Sequence, residues 1–242
     1  MPDLRATVER WKERVDEGVR VVAFGASNTD VSWHSLGRHG WATWLECALR
    51  EWVGRHVSMT NCGISGNTSA QALARMARDV LPHAPACVVI TLGGNDVVHA
   101  ALEEFVENLR KIGTALRAAG AVPVFQTYYA FDYQSLDAVN RRFPEYMAAV
   151  TSLAEELGEV SIDQHGWFRA WYDGDREGYM PVMLDAKHLR PVGNAIMGTL
   201  AARSFGMPDP VMPPDIARDV KRGLAEMARF ASLPEETPAP PG

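Results

Sequence analysis

Cys87-Val88-Val89-Ile90-Thr91-Leu92 runs straight into Gly93-Gly94-Asn95-Asp96. The first six residues are apolar or β-branched and show no alternation of apolar with polar. A strand of that kind is buried on both faces, as at the centre of a parallel sheet covered by helices on either side. The neighbouring sequence agrees. Shorter apolar runs at Val19 to Phe24, Val57 to Asn61, Val122 to Thr127 and Val160 to Asp163 read as further strands. Segments of helical spacing separate them: Leu4 to Glu17, Trp41 to Val53, Ser69 to Leu81, Leu102 to Ala119 and about Asn140 to Leu157. Gly18, Gly54 and Pro82 supply stops. Such alternation predicts βαβ units and a parallel, doubly wound α/β sheet.

The remaining composition sets bounds. The chain has 242 residues, 47% of them hydrophobic, enough for one large domain with its own core. A net charge of −6 and dispersed basic residues give no footprint for nucleic acid and no polybasic anchor for a membrane surface. No apolar run approaches the ~20 residues that span a bilayer, so no membrane insertion is expected. The charged stretch Met1 to Gly18 does not read as a secretory signal. Cys47, Cys62 and Cys87 are widely spaced and odd in number, which suits reduced thiols and a cytoplasmic protein. No Cys/His spacing suggests a metal site. Residues 1–233 are expected to form a single domain, with an amphipathic helix at Asp215 to Phe230 packed on its body. Residues 234–242, polar and rich in proline, are expected to form a disordered tail.

In a parallel sheet the carboxyl ends of the strands share one edge, where ligands collect. Three strands here end in small or polar clusters: Gly25/Ser27, Gly63/Gly66/Asn67 and Gly93/Gly94/Asn95/Asp96. Together they suggest a cleft in which a substrate meets backbone N–H groups. Ser27 taken alone reads as a helix N-cap or as an exposed nucleophile. A fourth cluster, Asp185-Ala186-Lys187-His188, precedes the apolar helical segment Gly193 to Arg203. Asp185 and His188, three residues apart, can sit side by side in a turn, the carboxylate holding one imidazole nitrogen. They can equally be a turn cap and a surface histidine.

In this order, the four clusters resemble the four sequence blocks of the SGNH hydrolases, also called the GDSL-like esterase and lipase family. Phe24-Gly-Ala-Ser27-Asn-Thr29 is similar to the first block, Asn61-Cys-Gly-Ile-Ser-Gly66-Asn-Thr68 to the second, Gly93-Gly-Asn95-Asp96 to the third and Asp185-Ala-Lys-His188 to the last. The resemblance implies a three-layer α/β/α sandwich whose five-stranded parallel sheet has the flavodoxin-like order 2-1-3-4-5. It implies a serine esterase that needs no cofactor or metal and acts on a small-molecule ester. Ser27 is then the nucleophile, His188 the general base and Asp185 its partner. The backbone N–H groups of Ser27 and Gly66 and the Asn95 side chain form the oxyanion hole. Ala26 stands where the family usually has aspartate, and His188 is followed by Leu189-Arg190-Pro191 rather than directly by proline.

Other motifs fit less well. Gly25-Ala-Ser27-Asn-Thr29 lacks the second glycine of G-x-S-x-G. Gly63-Ile-Ser-Gly66 lacks the leading glycine of a dinucleotide fingerprint. Asp163 and His165 read as structural or cleft-lining, Asp96 as the organiser of its own loop, and Ser65 and Ser69 as turn and cap residues. Trp33, Trp41, Tyr128, Tyr129, Tyr133, Trp167, Trp171 and Tyr179 fall in the inferred loops, where they serve either packing or substrate stacking. The mixture of aromatics with Asp, His and Asn points to a short acyl group, acetyl first, on a polar or carbohydrate-like alcohol. Two other readings are a lipase or thioesterase for longer chains and a non-catalytic binding module on the same scaffold.

Overall fold

The computed structural model describes residues 2–30 and 33–239, and of Trp33 the backbone alone. The Trp33 side chain and the last three residues of the expected tail lie outside the described residues. Five strands, β1 (Val19–Gly25), β2 (Val57–Gly63), β3 (Cys87–Thr91), β4 (Val122–Gln126) and β5 (Val160–Ile162), form one sheet. All pairings are parallel and the order is β2-β1-β3-β4-β5, as expected. Every residue of β3 is buried, which is why its sequence lacks alternation.

The helices are α1 (Leu4–Lys12), α2 (Trp41–Trp52), α3 (Ser69–Asp79), α4 (Asp96–His99), α5 (Leu102–Ala118), α6 (Phe143–Leu157), α7 (Gln164–Gly174), α8 (Arg176–Tyr179), α9 (Pro191–Ser204) and α10 (Pro214–Met227). Two successive residues of β4 separate the helical layers. Phe125 faces Gly113 of α5, in the layer where α3, α5 and α6 pack side by side. Gln126 points the other way. Its amide donates to Thr91 Oγ1 at 3.2 Å and its carbonyl accepts from Gln164 Nε2 at 3.3 Å. Gln164 Nε2 also donates to the Met197 carbonyl of α9 at 2.9 Å, tying the sheet to the layer of α2, α9 and α10. Gln126 and Gln164 are fully buried, and these contacts satisfy part of their hydrogen-bonding capacity.

The elements depart from the sequence expectation in three places. Helix α1 stops at Lys12 rather than Glu17, and Val15, expected on its buried face, is 62% exposed. The Trp11 carbonyl is taken by the Arg14 N–H at 3.1 Å and by the His56 ring at 2.8 Å, closing the last turn early. Helices α4, α7 and α8 were not expected. Helix α7 reads Gln-His-Gly-Trp-Phe-Arg-Ala-Trp-Tyr-Asp-Gly, poor in strong helix formers. Burial of Phe168, Trp171 and Tyr172 overrides that weak propensity. Trp167, Trp171 and Tyr179 therefore lie on helices instead of loops, with Trp171 and Tyr179 in the core. Finally, the chain after α10 stays in contact with the body. The Pro234 carbonyl accepts from Arg203 at 3.4 Å, and Glu236 lies 3.7 Å from the same guanidinium.

Helices α2 and α9 approach closely at Gly198, where a Cβ would fall 2.5 Å from Trp44 Cβ and 2.8 Å from the Trp41 carbonyl oxygen. Gly198→Ala is expected to destabilise the protein by about 1–3 kcal/mol through overpacking. It does so despite the better helix propensity of alanine, because a backbone carbonyl cannot rotate aside. The shift of the urea midpoint measures this, and an unchanged midpoint would show that the helices can separate freely.

Candidate active site

Backbone contacts build the turn after β1. The Gly25 carbonyl accepts from Ile64 N–H at 3.1 Å and from Arg75 Nη2 at 3.0 Å. The Ala26 carbonyl accepts from Thr29 N–H at 3.0 Å and Asp30 N–H at 2.9 Å. Ser27 sits in this turn and caps no helix; α2 begins later, with Gly40 at its N-cap. Ala26 is 1% exposed and its methyl packs into the core. The turn is thus closed by backbone groups, and the Ala26 side chain makes none of these bonds.

The segment Asp185 to His188 folds as a small loop on an isolated antiparallel bridge between Met183 and Leu189. Leu184 N–H donates to the His188 carbonyl at 2.7 Å, and Tyr129 Oη donates to the Lys187 carbonyl at 2.6 Å. Asp185 Oδ1 accepts from the N–H groups of Lys187 at 2.7 Å and His188 at 2.9 Å. The same carboxylate meets His188 Nδ1, at 3.0 Å through Oδ1 and 2.9 Å through Oδ2. Asp185 is therefore both the turn cap and the imidazole partner, two roles that read as alternatives in the sequence. Partial burial pushes its carboxyl up, but the N–H donors and His188 outweigh that and hold it below the usual carboxylate range.

His188 Nε2 lies 3.1 Å from Ser27 Oγ. Residues 161 positions apart in sequence thus meet within hydrogen-bond reach. The ring of His34 stacks on His188 at 3.7 Å between centroids, with 21° between planes. Burial, and after it the facing His188, push the His34 imidazole below its ordinary range. Nothing in the local sequence assigns His34 a role. Stacking on a ring so distant in the chain leaves no local signature.

Gly66 and Asn95 lie at the ends of the two strands that flank β1. Gly66 has φ +83°, in a turn closed by Asn67 N–H onto the Ile64 carbonyl at 3.2 Å. Asn95 Nδ2 donates to the Asn67 carbonyl at 2.9 Å, joining the third cluster to the second. Among the described residues neither is hydrogen-bonded to Ser27. Asp96 does more than organise its own loop. Its Oδ1 accepts from Ser69 N–H at 2.8 Å and Ser69 Oγ at 2.6 Å, clamping α4 to α3. Burial pushes the Asp96 carboxyl up against these bonds. Thr68, not Ser69, caps α3, in a capping box with Gln71. Ser65 N–H donates to Asp30 Oδ2 at 2.9 Å, a turn contact.

Ser27, Asn28, His34, Tyr129 and His188 line a cavity of about 20 Å³, room for roughly one water-sized group. It shares Asp30, Ser35 and Gly40 with a second cavity of about 230 Å³, whose other walls include Thr29, Arg38 and Thr43. Of the aromatic residues expected in loops, Tyr129 reaches the Ser27 cavity, whereas Trp41 and Tyr179 are fully buried core residues. Among the described residues, no three His, Cys, Asp or Glu side chains gather to hold a metal ion, and no helix is long and apolar enough to cross a membrane.

The sequence profile of the GDSL-like Lipase/Acylhydrolase family matches residues 23–196. The chain belongs to that family. An acetylxylan esterase of Geobacillus stearothermophilus is 27% identical over 123 residues, covering 46% of this chain and 56% of the relative. Thioesterase 1/protease 1/lysophospholipase L1 of Escherichia coli K12 is 36% identical over 119 residues, covering 48% and 54%. The chain thus spans about half the length of these curated relatives. The crystal structure of Axe2, an acetylxylan esterase from Geobacillus stearothermophilus, superposes with a TM-score of 0.67 at 22% identity, over 80% of this chain and 96% of that one. That likeness establishes the fold.

Within this GDSL-like scaffold the second Asp/His pair has a structural place. Asp163 caps α7, accepting from Gly166 N–H at 3.0 Å and from Thr127 Oγ1 at 3.1 Å. The His165 ring meets Tyr133 Oη at 2.9 Å, and burial pushes its imidazole down to about 4. An unfolded histidine titrates near ~6.5, so between those values the unfolded chain binds the extra proton. Stability is then full above the unfolded value and is lost as pH falls towards about 4, with a slope of up to about 1.4 kcal/mol per pH unit. His165→Gln is expected to flatten that part of the stability–pH curve in denaturant titrations. An identical slope in the variant would assign the acid loss to other groups.

Proposed function

We propose that the protein is a serine esterase that removes short acyl groups, acetyl first, from polar or carbohydrate-like alcohols. The observation that carries this reading is the continuous path from Asp185 through both nitrogens of His188 to Ser27 Oγ. Ser27 Oγ attacks the ester carbonyl while His188 Nε2 takes its proton. The ionised Asp185, held low by its own N–H donors, fixes the imidazole with Nδ1 protonated and stabilises the imidazolium that forms. His188 then protonates the leaving alcohol. Water, activated by the same histidine, cleaves the acyl-enzyme and frees Ser27.

Charge developing on the carbonyl oxygen is met by the N–H groups of Ser27 and Gly66 and by the Asn95 amide. The Asn95 amide has two protons. One is committed to the Asn67 carbonyl, which fixes the amide plane and leaves the other for the oxyanion. Donors held in this way need no reorganisation as the charge appears. The smallness of the cavity beside Ser27 favours a short acyl group over a long one, and Asp30, Arg38 and Thr43 in the neighbouring cavity favour a hydroxylated alcohol. The acetylxylan esterase among the relatives is in keeping with both. We also read residues 1–233 as one domain carrying the site, since a single apolar cluster runs from Leu4 to Met227. Three free cysteines favour a reducing, cytoplasmic setting.

Ser27→Ala is expected to lower kcat on p-nitrophenyl acetate by roughly a thousandfold or more while the protein stays folded. Turnover by a folded Ser27→Ala enzyme at the wild-type rate would remove the serine mechanism. Asn95→Ala is expected to lose about a hundredfold in kcat and kcat/KM alike, as for one oxyanion donor. If Asn95 only fastened its turn, that variant would lose stability and keep its kcat. Across p-nitrophenyl acetate, butyrate and decanoate, kcat/KM should fall with chain length. A steady rise would assign the site to long acyl chains.

A further inference from the structure

One buried cation touches the β1 turn and the Gly66 loop, from which two of the three proposed oxyanion donors project. Arg75, on the inner face of α3, is 8% exposed. Its Nη2 donates to the Gly25 carbonyl at 3.0 Å, two residues before Ser27. Its Nη1 donates to the Cys62 carbonyl at 2.9 Å, in β2, and lies 3.2 Å from Asp79 Oδ2. Its Nε donates to Asn67 Oδ1 at 2.7 Å, on the residue that follows Gly66. The guanidinium also lies over the Phe24 ring, 4.7 Å from its centroid. A planar fork with fixed donor directions can hold several acceptors at set angles in a way that an ammonium cannot.

We propose that Arg75 is a positioning residue that sets the oxyanion hole by locking the β1 turn to the Gly66 loop; this rests on the serine esterase reading above. The path to each donor is short. Fixing the Gly25 carbonyl orients the peptides that lead into Ser27 and so aims the Ser27 N–H. Fixing the Asn67 side chain holds the loop in which Gly66 adopts φ +83°. The Asn67 carbonyl, held in that same loop, receives Asn95 Nδ2 at 2.9 Å and sets the third donor. Arg75 touches none of the reacting atoms in this arrangement. Its influence travels through the two loops, and small misplacement of donors is costly because transition-state charge is met only at the correct distance.

The test compares Arg75→Lys, Arg75→Met and Asn67→Ala with the wild type and Ser27→Ala on p-nitrophenyl acetate, with thermal melts of each. Arg75→Met is expected to lower kcat on the order of a hundredfold, with KM moved far less. Arg75→Lys should recover only part of that loss, since lysine supplies the charge without the fork. Asn67→Ala leaves Arg75, Gly25 and the α3 packing in place and removes only the side-chain link, so it covers the case in which Arg75→Met does not fold. It is expected to melt near the wild type and still lose kcat about tenfold or more. Wild-type kcat in a folded Asn67→Ala enzyme, or a lower melting temperature with unchanged kcat in the Arg75 variants, would overturn the proposal. Full activity in Ser27→Ala would instead remove the esterase reading on which it rests.

Discussion

The register of β1 between β2 and β3 is the constraint on which the site depends. Gly25 pairs with Gly63 on one side and with Thr91 on the other, so three chain segments leave the sheet at one level. Parallel hydrogen-bonded ladders fix that level along the whole strand, and a slip of one residue would exchange the faces of every side chain. The approach at this edge is close. A Cβ on Gly25 would fall 2.3 Å from Thr29 Oγ1 and 2.7 Å from the Thr91 carbonyl oxygen. One on Gly63 would fall 2.4 Å from Asp30 N. Glycine at these two positions therefore lets the β1 turn fold back over the sheet edge.

Polar side chains lace the turns together once the ladders have brought them level. Asn61 Nδ2 donates to the Thr29 carbonyl at 2.5 Å while its Oδ1 accepts from Gly63 N–H at 2.9 Å. Asp96 holds Ser69, and Asn108 Nδ2 donates to Ser69 Oγ at 3.1 Å. Asp96 is fully buried and Asn108 nearly so, and networks of this kind specify one arrangement because each broken bond strands a desolvated group. Loops at strand ends would otherwise be the least ordered part of the chain. Here these side-chain bonds tie them to one another and to α3.

Helix α9 delivers the last component from the opposite end of the sequence. Pro191 opens it with a fixed φ, and Arg190 N–H donates to the Val182 carbonyl at 2.8 Å. The loop carrying Asp185 and His188 is thus pinned between α9 and the Met183–Leu189 bridge. His188 is constrained on two sides, by the Asp185 carboxylate at its edge and by the His34 ring on its face. A ring held at both edge and face keeps Nε2 directed at Ser27 Oγ.

The sequence by itself determined the parallel α/β class, because β3 is apolar on both faces and Gly and Pro punctuate the helices. It also offered Ser27, Gly66, Asn95, Asp185 and His188 as candidates, through the resemblance of four short blocks to one family, and of these the fold brings Ser27, His188 and Asp185 within hydrogen-bond reach. Helix α7 was not legible, since packing of Phe168, Trp171 and Tyr172 decides a segment whose own propensity is weak. The stack of His34 on His188 and the grip of Arg75 on Gly25, Cys62 and Asn67 were not legible either. In those contacts the partners are 8 to 154 residues apart, and only Asn67 lies near its partner in sequence. Local patterns record what a residue does to its own backbone. Only the tertiary fold decides which distant carbonyl or ring fills the space in front of a side chain, because that depends on the sheet register and not on the neighbours along the chain.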